Sequence, residues 1–153
     1  MLESCLLTAC TLGRRMTLVP LGEGNVARLR DQVAQHRLDG RIAGLFALTP
    51  AVTEFDLANA FARTGPVVDA FLATARRAIA AGADIVIPAE GVLNELLASA
   101  GIRLVDEVPV LDAVATVMAH AEMMIALHRR VGLKRIWRHP SRSFAVRFRP
   151  LKR

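Results

Sequence analysis

Residues 82–130 read GADIVIPAEGVLNELLASAGIRLVDEVPVLDAVATVMAHAEMMIALHRR, and this stretch decides the fold class. Asp84-Ile85-Val86-Ile87 is a short apolar run with β-branched residues, the pattern of a strand buried on both faces. Pro88-Ala89-Glu90-Gly91 turns the chain into a helix expected over 92–100 and stopped by Gly101. Residues 103–105 and 108–111, on either side of the bend before Pro109, predict a last strand region. Asp112 then opens a helix running to about Arg130, with Gly132 as its stop.

The same alternation extends toward the N-terminus. Leu2, Cys5, Leu6, Ala9 and Cys10 keep apolar groups on one side of a helix over 2–12 that Gly13 ends. Residues 15–19 form an apolar run closed by Pro20, a first strand. Gly22 and Gly24 loosen the next turn, and Asn25 is placed to cap a helix to about Leu38 through Val26, Leu29 and Val33. Residues 41–48 (RIAGLFAL) predict a second strand. Thr53 or Asp56 starts a short helix broken at Thr64-Gly65-Pro66, and a long helix follows from Pro66 to Ala81, with Gly82 as its stop. Four strands alternating with helices predict an α/β fold, three-layer α/β/α around a four-stranded parallel sheet.

Composition narrows the class. The chain has 153 residues, enough for one domain with a real core, of which 53% are hydrophobic and only 5% aromatic. The core must therefore be built from Ala, Leu, Val and Ile. No apolar run reaches membrane-spanning length. The opening segment has its positive charges after the apolar stretch, the wrong order for a secretory signal, so a cytoplasmic protein is expected. The net charge of +6 is concentrated at one end: residues 134–153 hold eight of the twenty basic residues and no acid. The remaining twelve basic and fourteen acidic residues leave 1–133 mildly acidic. The expected organisation is an α/β lobe over 1–133 and a basic tail over 134–153. That tail reads three ways: a disordered extension, an arm for nucleic acid or another acidic partner, or a reading-frame artefact. Nucleic-acid binding has little support beyond charge.

In open α/β sheets, ligands sit beyond the carboxyl ends of the strands. The turn after the third strand leads directly into a helix, whose N-terminal amides and dipole favour an anion. Ala89, Glu90, Gly91 and Val92 are accordingly the candidate binding residues, with Thr49 from the end of the second strand. The alternative is an ordinary βα turn in which Glu90 only complements the dipole. There is no G-x-G-x-x-G, no G-x-x-x-x-G-K-[ST] and no G-x-S-x-G, so neither a nucleotide cofactor nor a serine nucleophile is expected. No metal site is expected either. Cys5 and Cys10 are five apart and read as small buried hydrophobes, and His36, His120, His128 and His139 are not clustered.

Residues 82–130, together with LTACTLGRRMTLVP at 7–20, resemble the second half of the Asp/Glu/hydantoin racemase superfamily over roughly 2–133. The resemblance rests on the order of blocks: a long helix, Gly-Ala-Asp, an apolar strand, a small-residue turn with glycine, a helix, then Pro-Val-Leu-Asp opening a helix with Ala-Glu. It implies two similar lobes and cofactor-independent inversion of a carbon by one cysteine from each lobe, acting on opposite faces. Such inversion needs an acid and a base on opposite sides, and a thiol serves as either once its pKa is lowered. The family's second cysteine follows the strand in a Gly-Cys-small-Gly turn. Here that turn is Pro88-Ala89-Glu90-Gly91, so Ala89 occupies the cysteine position. The first lobe, with the other cysteine, is expected to lie outside the chain.

Two functions follow as expectations. One is an amino-acid or hydantoin racemase that is incomplete or inactive as this chain alone, with Glu90 as replacement acid–base group. The other is a non-catalytic carboxylate-binding module or truncated pseudoenzyme. Expected partners are a small carboxylate or amino-acid-like ligand, together with a second copy of the chain or a first lobe, because half a two-lobed fold exposes an apolar face.

Overall fold

The structure, a computed structural model, describes residues 2–62 and 64–133. Its elements in chain order are α1 (Leu2–Leu12), β1 (Met16–Val19), α2 (Val26–Gln35), β2 (Ile42–Leu45), α3 (Glu54–Ala60), α4 (Gly65–Ala80), β3 (Ile85–Pro88), α5 (Gly91–Ser99), β4 (Leu104–Val105), β5 (Val108–Pro109) and α6 (Ala113–Val131). Contacts group the chain into two units that meet between Ala121 and Glu122. The first holds the sheet and both layers of core. Of the second, the described part is the latter half of α6 and the two residues after it. The expected basic tail at 134–153 lies outside the described residues.

β1 is the centre of a parallel sheet of order β2-β1-β3, with Leu18 opposite both Leu45 and Ile87. Every residue of β1 and of β3 is buried, as strands covered on both faces require. Their alternation sorts the core into two layers. Met16, Leu18, Ile85 and Ile87 face Cys5, Leu6 and Ala9 of α1 and Leu29 and Val33 of α2. Val19 and Val86 point the other way, toward Leu57 of α3, Phe71 and Ala75 of α4, and Leu93, Leu96 and Leu97 of α5. The three layers expected from sequence are present.

The sheet has three strands rather than the expected four. Leu104–Val105 and Val108–Pro109 pair with each other as an antiparallel hairpin. The bend at Asp106 and Glu107 has positive φ at both residues, 46° and 67°, as in a type I′ turn. Pro109 has no N–H to lend to a ladder, and the chain reaches β3 only afterwards, at a single parallel bridge from Val86 to Val110. Leu111 N–H donates to Val86 O at 2.8 Å, which completes the contact. The second strand is also shorter than the apolar run predicts. The register shifts between Met16 and Thr17, but Phe46 and Leu48 still donate to Leu18 O and Pro20 O.

The helix limits follow local chemistry. Thr53 caps α3 in a reciprocal pair with Asp56. Gly82 and Gly101, at φ 95° and 72°, take the left-handed conformation that ends α4 and α5. Asn25 does not cap α2 as expected: it lies in a 3-10 turn, Glu23–Asn25, and its side chain makes no capping bond. Among the described residues no helix is long and apolar enough to cross a membrane.

Candidate functional site

The strand order creates a place for a site. After β1 the chain covers the sheet with α2 on the α1 face; after β3 it covers the other face with α5. The connections therefore diverge between β1 and β3, and a crevice outside the carboxyl ends of adjacent strands is the usual binding place in open α/β sheets. A cavity of about 230 Å³ opens there. Ile87, Pro88, Ala89, Glu90 and Gly91 form its β3 wall, Arg28, Leu29 and Gln32 of α2 the facing wall, and Leu2, Cys5 and Ala113 complete it.

Ala89, Glu90 and Gly91 therefore share one wall of this cavity, and Val92 and Thr49 do not. Val92 is exposed on the first turn of α5. Thr49, also exposed, accepts a hydrogen bond from the Arg77 guanidinium at 3.1 Å, and its N–H donates to Thr74 Oγ1. Thr74 and Arg77 belong to α4, on the opposite face of the sheet from α2.

The turn itself is partly occupied by its own chain. Ala89 N–H is held by Val19 O at 2.9 Å, which continues the β1–β3 ladder. Glu90 is the N-cap of α5 in extended conformation: its Oε2 accepts the Leu93 N–H at 2.7 Å and its carbonyl accepts from Asn94 N–H. A helix leaves its first amides without an internal acceptor, and the N-cap carboxylate claims one of them. The amide of Gly91, which lines the cavity, also lies in the first turn, where a helix has no internal acceptor to offer.

The chain's own sulfur reaches this site from an unexpected direction. The sequence places Cys5 on a helix and away from a strand end, as a small buried hydrophobe. It is buried, at 1% exposure, but it also lines the cavity wall. An 11-residue helix spans about 16 Å, enough to run the length of a short sheet. The C-terminus of α1 meets the start of β1, so its N-terminal half lies beside the sheet's carboxyl end. Cys5 Sγ contacts Ala113 O at 3.9 Å, and burial pushes the thiol pKa up, which keeps it protonated. Cys10 is half-buried, and both cysteines are free.

Beside the cavity, Asp112 organises the start of α6. Its Oδ1 accepts from Val114 N–H and Ala115 N–H and from the Asn94 amide, and its Oδ2 takes the Arg103 guanidinium at 2.9 Å. The bond from Ala115 N–H comes first among the causes that hold its pKa below the ordinary range. Among the described residues, no group of three or more His, Cys, Asp or Glu side chains is placed to hold a metal ion.

Sequence reading missed Arg28, Gln32 and Cys5. A signal for Gln32 existed: it lies between Leu29 and Val33, on the buried stripe of its helix, where a polar side chain calls for a reason.

The structure aligns with an allantoin racemase from Klebsiella pneumoniae at a TM-score of 0.66 and 18% sequence identity, over 82% of this chain and 49% of that one. The two share a fold. The likeness to hydantoin racemases read from the sequence thus holds at the level of architecture, and the chain spans about half the length of that protein. No family model matches the sequence, and no curated protein matches it.

Proposed function

We propose that this chain is one lobe of the Asp/Glu/hydantoin racemase family, which holds a small carboxylate or hydantoin-like molecule at the β1–β3 crevice and does not invert it alone. The observation that carries this reading is the cavity whose wall is the Ala89-Glu90-Gly91 turn, at the divergence point of a racemase-like fold. The Gly91 amide and the Arg28 guanidinium favour an anionic or carbonyl group. Inversion needs proton transfer at two opposite faces of one carbon. Within this lobe a methyl group stands where the family places a thiol, and the Cys5 thiol is held neutral by burial, a proton donor rather than a base. The opposite face would be served by a second lobe, carried on the same polypeptide or on another one.

Glu90 supports a second reading, because a carboxylate on the cavity wall is an acid–base group in reach of a ligand. In that reading one oxygen stays on the Leu93 amide and the other abstracts the α-proton.

Ligand-observed NMR with aspartate, 5-methylhydantoin and allantoin, in D₂O, separates these readings. The expected result is binding without loss of optical activity and without α-proton exchange. Exchange that disappears in Glu90→Gln would move the assignment to the catalytic reading. Absence of binding by all three would remove the proposed site. Ala89→Cys gives an independent check. A thiol placed at the N-terminus of α5 should be alkylated by iodoacetamide faster than Cys5 or Cys10. Equal rates would separate this turn from the family's cysteine turn.

A further inference from the structure

Six of the thirteen large hydrophobic side chains exposed among the described residues sit on one helix, α6. Of its 19 residues only Ala113 is buried. Helices draw most of their stability from packing an apolar face, so a long helix with that face uncovered lacks the contribution.

The apolar positions of α6 form a stripe. Val114, Met118, Ala121, Ile125 and His128 follow one another at spacings of four, three, four and three residues, the seam of a coiled coil with His128 its one polar member. Val117, Met124 and Val131 run beside it at seven-residue intervals and widen it on one flank. Met118 and Ile125, near the middle, are 59% and 51% exposed. The seam belongs to one continuous helix and asks nothing of the sheet.

Spacing, charge and area select the occupant. A seam of this spacing is complemented by another of the same spacing, and a second copy of α6 supplies one. In an antiparallel pair, Ala121 lies opposite Ile125 and Met118 opposite His128, so small meets large at the centre. Arg129 and Arg130 close the helix, and no Lys or Arg precedes them in it. A parallel pair would stack these arginines, whereas the antiparallel pair holds them about 18 Å apart, beyond a Debye length of about 8 Å. The helix is about 28 Å long, and two such stripes face to face cover on the order of 1,000 Å², the lower bound of a specific interface. That area suits a weak dimer.

We propose that α6 is the dimerisation element of this chain, pairing antiparallel with α6 of a second copy along the seam from Val114 to His128. The pairing stands independently of any ligand in the β1–β3 crevice.

The test is sedimentation velocity of the full chain from about 1 to about 100 μM, the range in which a minimal interface assembles. Wild type should pass from one chain mass to two, with a Kd of about 10 μM. Met118→Glu and Ile125→Glu should each weaken the dimer about a hundredfold or more, because each buries a charge in the seam. Ala119→Glu, on the opposite side of the helix, should leave Kd within about twofold. Met118→Ala adds no charge and should weaken the dimer about tenfold, which keeps the test open if a charged variant loses its far-UV circular dichroism. In a Cys10→Ser background, Met118→Cys and His128→Cys oxidised together with copper phenanthroline should form a disulfide-linked pair, and neither should alone. A wild type that stays at one chain mass at the highest concentration overturns the proposal and leaves the stripe to a different polypeptide. A dimer left intact by the Met118 and Ile125 variants places the interface elsewhere and overturns it too. His128→Cys linked to itself overturns the antiparallel arrangement.

Discussion

The two ends of the parallel sheet treat their polar groups in opposite ways. At the amino end a groove of about 570 Å³ is lined by Arg14, Arg15, Gly40, Arg41, Gly82 and Asp84. It is larger and more highly charged than the cavity at the carboxyl end, yet its chemistry is turned inward. Asp84 accepts the N–H groups of Arg14 and Arg15, both at 2.8 Å. Arg41 donates to the carbonyls of Cys10, Gly13 and Arg14, closing the C-terminus of α1. At the carboxyl end Gln32 has an unpaired oxygen and Arg28 has no ion pair among the described residues. Charge and volume alone point to the amino end, whereas the site proposed above lies at the other.

Breaking the amino-end splice should cost most. Asp84→Ala leaves two backbone amides without their carboxylate and should lower unfolding free energy by about 3 kcal/mol in urea denaturation, with discount for solvent access. A loss below about 1 kcal/mol would show that this end is not held by Asp84. Binding of any carboxyl-end ligand should be unaffected in the fraction that stays folded.

Next comes Asp112, a satisfied group close to the cavity. Asp112→Ala removes the cap of α6 and strands the Asn94 amide, with an expected loss of about 2 kcal/mol. Its pKa is depressed in the folded state, so its contribution is complete above the unfolded value of about 3.9 and is lost as pH falls through the folded value. Asp112→Asn should therefore show a weaker decline of melting temperature below pH 4 than wild type. Identical acid profiles would exclude this carboxylate as a source of acid sensitivity.

Glu90 tests a residue that is cap and cavity wall at once. Glu90→Ala should cost about 1 kcal/mol by thermal denaturation, and Glu90→Gln less, since an amide oxygen still accepts from Leu93 N–H. If the two variants are equally destabilised, charge at the helix terminus matters more than the hydrogen bond. Arg76→Ala is the control. It breaks an ion pair more than half exposed on both partners, and stability should change by less than about 0.5 kcal/mol.

Legibility along the chain followed the range of the interactions. Helix ends set by Gly82, Gly101 and Thr53 depend on neighbours a few residues away, and the predicted and observed limits of α4 and α5 agree to within a residue. The last strand region failed because both halves are apolar enough for a sheet, and the I′ bend at Asp106-Glu107 pairs them with each other first. Neither residue is the glycine or asparagine that usually signals such a turn. In the site, the turn at Ala89-Glu90-Gly91 could be marked because a strand end and helix start are adjacent in sequence. The facing wall could not, since Gln32 and Cys5 reach it only through packing.

The sequence by itself determined the layers: apolar period and glycine placement require helices on both faces of a buried parallel sheet, and the small-residue turn that carries Ala89 is plain in the letters. Tertiary structure decided the number of strands, the arrival of α1 and α2 at the carboxyl end of β3, and which polar atoms stay unpaired. The physical reason is that hydrogen-bond satisfaction belongs to pairs of groups brought together from distant positions, and no local pattern records whether a partner arrives.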